Sequence, residues 1–287
     1  MTSRTEIAED ARYGYYLDHG FVGLVETMGS DDTVEQSARL SYGKGTRKVG
    51  DTRGLIRTLV RNWHTSPLEM AEVRFHLKIP IFVMRQLVRH RTASLNEYSG
   101  RYSEMVDEFY IPPLERMQVQ STTNKQGSGE ALDGVMADAL QKLMKKTCDD
   151  AFYSYSDLLK QNVSRELARI VLPVNNYTEI FWKCDIKNFF GMLKLRLDPH
   201  AQKEIVDLAD IMYQLAKPYF PILCEAFEDY WLNGVSFSAM EMEIIRTLME
   251  GMGGFEGPIH RMLSDETQKM SKREKEEFVA KLQTKTG

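Results

Sequence analysis

Cysteines, prolines and long apolar runs are all scarce in this chain of 287 residues. It has three cysteines and nine prolines. Its longest apolar stretch, near residues 79–84, is far shorter than the roughly eighteen residues that a membrane-spanning helix needs. The N-terminal segment mixes charges of both signs and lacks the apolar core of a signal peptide. Scattered cysteines in odd number are typical of free thiols in a reducing compartment. We therefore expect a cytoplasmic protein with no membrane partner.

Several binding signatures are also missing. Neither C-x-x-C nor H-E-x-x-H occurs, which argues against structural zinc and zinc hydrolase chemistry, so we expect no metal. The glycine-rich run at residues 251–257 (GMGGFEG) lacks the G-x-G-x-x-G spacing and follows no strand, so a Rossmann dinucleotide site is not predicted. A formal net charge of −4 is unsuited to coating nucleic acid, and we expect no nucleic-acid partner.

The patterns that are present predict an α+β protein in which helices are in excess. Residues 21–28 are rich in β-formers, and residues 72–79 alternate apolar with polar side chains, which predicts a half-buried strand. Pro80 ends this strand and can begin a helix, because a first helical turn has no use for its missing N–H. Residues 94–100, with Ser, Asn and Gly, are predicted to form a loop.

Farther along, the periodicity is mainly helical. A long amphipathic helix is predicted after residue 134, with Met136, Leu143 and Tyr155 on its core face. Two more helical stretches are predicted within residues 165–198, separated by the segment VLPVNNYTE.

Composition suggests three parts. Residues 1–16 are predicted to be an N-terminal leader, and residues 17–236 the main domain. Within that domain, residues 118–134 are polar and contain Gly and Ser, which predicts a surface loop insertion. Residues 237–287 include a Met-rich stretch and a charged terminal helix, and are predicted to be a helical C-terminal extension.

The densest chemistry lies in residues 85–101. Four arginines there are balanced by one acidic residue, Glu97, so the segment carries a charge of +3 in a chain of −4. We predict that Gln86, Arg89 and His90 share one helix face. Guanidinium groups beside hydroxyls and loop amides suit a phosphate, although a solvated basic helix end would produce the same run of charge. The polar residues between the arginines favour anion binding.

One run inside this segment matches a family signature. Residues 89–101, Arg-His-Arg-Thr-Ala-Ser-Leu-Asn-Glu-Tyr-Ser-Gly-Arg, fit R-H-R-x-x-S-x-N-x-x-S-x-R at all seven specified positions. This is the signature of the flavin-dependent thymidylate synthases, which the chain resembles from about residue 17 to about residue 232. The other similar segments are GFVGLVETMG (20–29), ARLSYGKG (38–45), HTSPLE (64–69), IPIFVMRQ (79–86), EFYIP (108–112), RELARIVLP (165–173) and LKLRLDPHAQ (193–202).

The resemblance implies an enzyme that converts dUMP to dTMP. The family uses methylenetetrahydrofolate as carbon donor, bound FAD as redox cofactor and NADPH as reductant. The resemblance also implies a central, mainly antiparallel sheet packed with helices, and active sites at the subunit interfaces of a homotetramer. Residues 17–236 would then be the catalytic domain.

Cysteine chemistry is not expected, although other thymidylate synthases activate uracil by adding a cysteine thiolate to C6. Cys148 and Cys224 lie in apolar helical contexts, and nothing beside Cys184 would lower its pKa by much. The family is instead thought to rely on polarisation of the uracil ring.

The family's site residues transfer to this sequence position by position. Arg196 is implied to be the catalytic residue, a fixed charge that polarises the uracil and does not shuttle protons. The residues implied to bind dUMP are Gln86, Arg89, Glu97, Tyr98, Ser99, Gly100, Arg101, Arg169 and Arg196. Those implied to bind FAD are Ser41, His64, Ser66, Glu69, Arg89, His90, Arg91, Glu97, Asp185, Lys187 and Gly191.

A binding protein is the alternative to an enzyme. A nucleotide- or RNA-binding protein could use the same arginine segment without redox chemistry. The acidic net charge, and the lack of aromatic residues in the segment beyond Tyr98 and Tyr102, count against extended nucleic-acid binding. The sequence therefore favours the enzyme.

Overall fold

The computed structural model describes residues 1–7, 10–41, 51–122, 125–251 and 270–283. The strands are β1 (Tyr13–Tyr16), β2 (Gly20–Met28), β3 (Glu72–Pro80), β4 (Ser94–Glu97), β5 (Gln118–Gln120), β6 (Ser128–Ala131) and β7 (Tyr177–Asp185). The helices are α1 (Arg4–Ile7), α2 (Asp31–Arg39), α3 (Thr52–Arg61), α4 (Ile81–Leu87), α5 (Gly134–Lys160), α6 (Arg165–Ala168), α7 (Ile186–Arg196), α8 (Lys203–Ala216), α9 (Pro221–Phe227), α10 (Ala239–Gly251) and α11 (Lys272–Gln283). Among these helices, none has the length and apolar character needed to cross a membrane.

A five-stranded sheet forms the centre of the first of two compact units, Met1–Phe227. Its strand order is β1-β2-β3-β7-β4, and every pairing is antiparallel. The alternation predicted for β3 is confirmed, because Val73, Phe75, Leu77 and Ile79 are completely buried. The helix-rich α+β fold with a mainly antiparallel sheet is therefore confirmed.

The prediction is wrong for most of β7, because residues 180–185 were predicted to be helical, whereas its first three residues belong to the segment VLPVNNYTE predicted to separate two helices. This strand pairs with β3 on one side and β4 on the other, so it is an interior strand of the sheet. Ile180, Trp182 and Cys184 alternate as buried residues, whereas Phe181 is 42% exposed. A short run of apolar residues fits both the strand and the helix period, and here the neighbouring strands select the extended form.

Two details of the arginine segment also differ from the prediction. Helix α4 begins after Pro80 as expected, but it ends at Leu87, so Arg89 and His90 do not share a helix face with Gln86. The chain turns there, with the His90 N–H donating to the Leu87 carbonyl at 3.1 Å. Residues 94–97, predicted as a loop, form β4 because β7 offers a pairing edge.

Helix α5 buries less of its apolar stripe than predicted. Tyr155 and Cys148 are buried, but Met136 and Leu143 are 49% and 59% exposed. Farther along the chain, Ile170 is also strongly exposed. Within the described residues of one chain, these apolar side chains remain accessible to solvent.

The predicted leader and loop insertion both contain secondary structure. The leader includes α1 and the edge strand β1, which pairs with β2. The 118–134 segment includes the antiparallel ribbon of β5 and β6.

The second compact unit is Glu228–Gly287, with α10 and α11 in its described part. Helix α11 begins with a capping box, in which the Ser271 N–H donates to Glu274 and the Glu274 N–H donates to the Ser271 hydroxyl. The run GMGGFEG lies almost entirely outside the described residues. The boundaries of the three parts proposed from composition stay a prediction.

The polar face of the sheet holds an acid-sensitive contact. Glu179 accepts hydrogen bonds from the backbone N–H and hydroxyl of Thr2 at 2.7 and 2.8 Å, and its Oε1 lies 2.6 Å from His76 Nε2. Burial alone would raise the pKa of Glu179, but the bonds from His76 and Thr2 outweigh it and lower the pKa to about 2.

We expect Glu179→Gln to reduce the acid sensitivity of folding. A carboxylate whose pKa is lowered in the folded state stabilises the fold above its ordinary pKa, and this contribution is lost as the pH falls from about 4.5 to about 2. Urea unfolding at a series of pH values should therefore give a shallower acid decline for the variant. Glu26→Gln, on an exposed side chain of β2, is the control. Equal declines for Glu179→Gln and wild type would contradict the assignment.

Candidate active site

The segment containing Arg169 anchors the start of helix α4. The Ile81 N–H donates to the Asn176 carbonyl at 3.0 Å, and the Phe82 N–H donates to the Val174 carbonyl at 2.8 Å. Backbone groups that a helix N-terminus leaves without intrahelical partners are thus satisfied by the VLPVNN segment. The R-H-R signature therefore follows a helix that is fixed to the Arg169 segment at its beginning.

Arg196 lies at the C-terminal end of α7 and reaches the end of α4. Its Nε donates to His90 Nε2 at 3.1 Å, and its Nη2 donates to the Gln86 carbonyl oxygen at 3.2 Å. The Gln86 side chain in turn donates to Gln202 Oε1 at 2.7 Å. The structure thus joins Gln86, His90 and Arg196, three of the predicted site residues, in one group that we call the Arg196 cluster.

Both titratable members of the Arg196 cluster are perturbed. Burial, and secondarily the charge of Arg196, lowers the pKa of His90 to about 4, so this imidazole is neutral near pH 7. Burial also lowers the pKa of Arg196, although a guanidinium remains protonated in proteins. Neutral His90 is therefore able to accept the hydrogen bond from Arg196.

A second group of predicted residues lines a cavity of about 250 Å³. Glu97, Tyr98, Ser99, Gly100 and Arg169 contribute to its wall. A Cβ built on Gly100 would lie 2.9 Å from Met105 Sδ and 3.2 Å from Arg169 Cδ, so the glycine lets the arginine stem pass close to the loop. We call this group the Ser99 cluster.

Other bonds hold the loop of the Ser99 cluster in place. The Tyr98 N–H donates to the Glu179 carbonyl at 2.8 Å, and the Tyr98 hydroxyl donates to the Glu104 carbonyl at 2.7 Å. The Glu97 carboxylate accepts from the Thr178 hydroxyl at 2.8 Å. Strand β7 thus positions this loop. A helical prediction for the β7 region gives no indication of this role, because the bonds depend on the extended strand.

The arginines of the signature differ in their partners. Arg101 lies 3.3 Å from Glu166, and more than half of each side chain is exposed, so this ion pair is weak and screened. Arg89 and Arg91 are exposed and have no acidic partner within the described ranges. These two guanidinium groups are therefore available to an anionic ligand.

Two of the segments that supply predicted FAD residues, 64–69 and 185–191, lie close together. The Ile186 N–H, at the start of α7, donates to the Ala71 carbonyl at 2.9 Å, just after the 3₁₀ turn Ser66–Met70. His64, Ser66 and Glu69 are exposed. Ser41 is exposed beyond the end of α2, while the rest of its family segment, from Tyr42 to Gly45, lies outside the described residues.

Asp185 is the N-cap of α7, and its carboxylate accepts from the Asn188 N–H at 2.8 Å. This capping bond gives Asp185 a structural role in starting the helix. Lys187 is half-buried and donates to Asn188 Oδ1 at 3.3 Å. Gly191 is exposed, and a Cβ added there would meet no atom within 4 Å. The surface at Gly191 is thus open.

Trp63 is not among the site residues predicted from the sequence, although it lies beside them in the structure. It is 61% exposed and has a φ of +58°, which is unusual for a bulky residue. Its ring lies 5.9 Å from Lys194 Nζ, on α7. In the sequence, its position next to His64, a predicted FAD residue, is the feature that could have indicated Trp63.

The three cysteines share one feature, which is burial. Cys148, Cys184 and Cys224 are all buried. Burial raises the pKa of the Cys148 and Cys184 thiols, which disfavours the thiolate that would attack.

Comparison with known proteins agrees with the signature. The family model described as thymidylate synthase complementing protein matches residues 23–222. A flavin-dependent thymidylate synthase of Treponema denticola is 48% identical over 236 residues, which cover 82% of this chain and 89% of that protein. One of Dictyostelium discoideum is 47% identical over 238 residues, covering 80% and 78%.

A solved structure shares the fold. The UMP/dUMP methylase PolB of Streptomyces cacaoi, crystallised with 5-Br dUMP, has a TM-score of 0.68 and 32% identity, covering 77% of this chain and 99% of PolB. The alternative of a binding protein without catalysis is thereby set aside. With a family match across most of its length and relatives nearly half identical, the chain belongs to the flavin-dependent thymidylate synthases, a family of enzymes.

Proposed function

We propose that this enzyme methylates dUMP to dTMP in the cytoplasm. Methylenetetrahydrofolate supplies the carbon, NADPH supplies the reducing equivalents through bound FAD, and no cysteine acts as nucleophile. The names of the relatives and the dUMP analogue bound to PolB support the substrate. The observation that carries the proposal is the Arg196 cluster, in which a partly buried guanidinium is held by two acceptors.

The Ser99 cluster binds the phosphate of dUMP. Arg169 supplies charge, Ser99 supplies a hydroxyl, and Gly100 allows a close approach of the backbone. Arg101 joins them after giving up its weak contact with Glu166. Glu97 and Tyr98 shape the wall of the same cavity.

Arg196 acts on the pyrimidine. Uracil C5 becomes a better nucleophile when negative charge develops on the ring oxygens and N3. A fixed cation facing that edge stabilises this charge without moving a proton. Gln86 and Arg89 complete the contacts to dUMP.

The residues present fit a flavin. FAD carries a diphosphate, for which Arg89 and Arg91 offer unpaired guanidinium groups. The HTSPLE segment and α7 bring Ser66, Glu69 and Lys187 to one region, and the open surface at Gly191 leaves room for a ring system. When bound, FAD supplies the redox chemistry that the side chains lack.

A homotetramer completes the active sites. Within the described residues, no hydrogen bond joins the Arg196 cluster to the Ser99 cluster, which fits a site assembled from two chains. The exposed apolar residues Met136, Leu143 and Ile170 offer a surface that a second chain would cover.

The colour of the purified protein tests the proposed function. We expect a yellow protein that loses its absorbance with dithionite and forms dTMP from dUMP when methylenetetrahydrofolate and NADPH are supplied. Omission of each co-substrate in turn is the control, and each omission should stop dTMP formation. A colourless protein that cannot be reconstituted with FAD would refute the assignment of the cofactor.

A further inference from the structure

The hydrogen bonds of Arg196 fix which part of its guanidinium can meet a ligand. Nε and one N–H of Nη2 are occupied by His90 and Gln86. A guanidinium is planar and carries its remaining donors on Nη1 and the outer side of Nη2. Those donors form a fork on the end of the group, which the bonds to His90 and Gln86 leave unoccupied. The bonds to His90 and Gln86 thus set the rotation of the fork.

We propose that His90 is a positioning residue for Arg196, whose guanidinium fork it aims at the pyrimidine by accepting the Nε hydrogen. This inference rests on the proposed function, since it assumes that Arg196 contacts the uracil ring. It gives His90 a role different from the flavin contact that the family signature implies. The Gln86 carbonyl, on the last turn of α4, is the second acceptor, and it also accepts from the Arg89 N–H at 3.3 Å.

This role requires a neutral imidazole with its proton on Nδ1. A protonated His90 would turn an N–H toward the Arg196 Nε–H, and the two cations would repel each other. Burial and the charge of Arg196, on α7, both lower the pKa of His90. Arg89 and Arg91, which flank His90 in the sequence, are cationic as well. The low pKa of about 4 agrees with this arrangement.

Two substitutions distinguish the effect of losing the hydrogen-bond acceptor at position 90 from the effect of changing the side-chain volume there. We expect His90→Leu, which lacks an acceptor, to lower kcat for dTMP formation by about 10- to 150-fold, the range for losing a hydrogen bond to a charged group. His90→Gln keeps an acceptor and should retain activity within a few fold of wild type. Flavin content is measured for both variants, and kcat is compared at equal flavin loading. Equal losses in the two variants, or full activity in His90→Leu, would overturn the proposal.

Histidine NMR on the flavin-free protein tests the contact without catalysis. We expect wild-type His90 to titrate near pH 4, with Nε2 lacking a proton. In Arg196→Gln its pKa should rise toward 6.5 while remaining below it, because the burial persists. His90→Gln identifies the resonance, because the signal of His90 is missing from that variant.

The NMR result also separates this inference from the proposed function. An enzyme that forms no dTMP would refute the proposed function, whereas the titration of His90 would still report its contact with Arg196. A His90 that titrates near pH 6.5, or that is unaffected by Arg196→Gln, would overturn the positioning role whatever the activity.

Discussion

We expect Arg196→Ala to lower kcat for dTMP formation by about 100- to 1000-fold, because removing a well-aligned donor to developing negative charge costs about 2.7–4 kcal/mol in the transition state. We expect the variant to keep its flavin, since the hydrogen bonds of Arg196 go to His90 and Gln86 and none goes to the HTSPLE segment or to Arg89 and Arg91. Loss of activity with retained yellow colour is therefore the expected combination.

The measurement is steady-state dTMP formation at saturating dUMP, alongside the flavin absorbance of the same preparation. Arg12→Ala is the matched control, because this exposed arginine pairs with Asp10 beside β1, away from both clusters. Full turnover in Arg196→Ala would contradict its role on the pyrimidine. Simultaneous loss of flavin and activity would assign Arg196 to the cofactor instead.

We expect Arg169→Ala to raise the KM for dUMP by about 10- to 150-fold, which is the range for losing a charge-assisted hydrogen bond to phosphate. Deoxyuridine has no phosphate, so its use as a substrate should change little in the same variant. That difference distinguishes a lost phosphate contact from a general disturbance of the cavity. An unchanged KM for dUMP would remove Arg169 from the phosphate site.

Co-expression of Arg169→Ala with Arg196→Ala tests whether a site is shared between chains. If the Ser99 cluster of one chain and the Arg196 cluster of another form each site, random assembly restores about one quarter of the sites. Either variant expressed alone at the same concentration is the control. No recovery in mixed oligomers of confirmed composition would mean that both clusters act within a single chain.

The amino-acid sequence predicted the parts of this protein that depend on local pattern. The alternation of β3 and the helix start at Pro80 were both recoverable, because period and proline geometry act over a few residues. The signature at residues 89–101 identified the family because fixed spacing carries that information irrespective of fold.

The errors of prediction fall where partners distant in sequence select between local alternatives. Strand β7 was interpreted as helical, since its aromatic and β-branched residues reveal their extended form only between β3 and β4. Strand β4 was interpreted as a loop for the same reason. The predicted core positions Met136 and Leu143 on α5 are exposed, because an apolar stripe does not specify which molecule covers it.

Composition and motif spacing therefore established the family, the helix-rich α+β class and a set of candidate residues. Folding decided how those residues meet. His90 and Arg196 are separated by 106 positions in the chain, and no periodicity links them. Their hydrogen bond arises because the fold brings the C-terminal end of α7 to the end of α4, and burial there lowers the pKa of His90, which favours the neutral imidazole that can accept it.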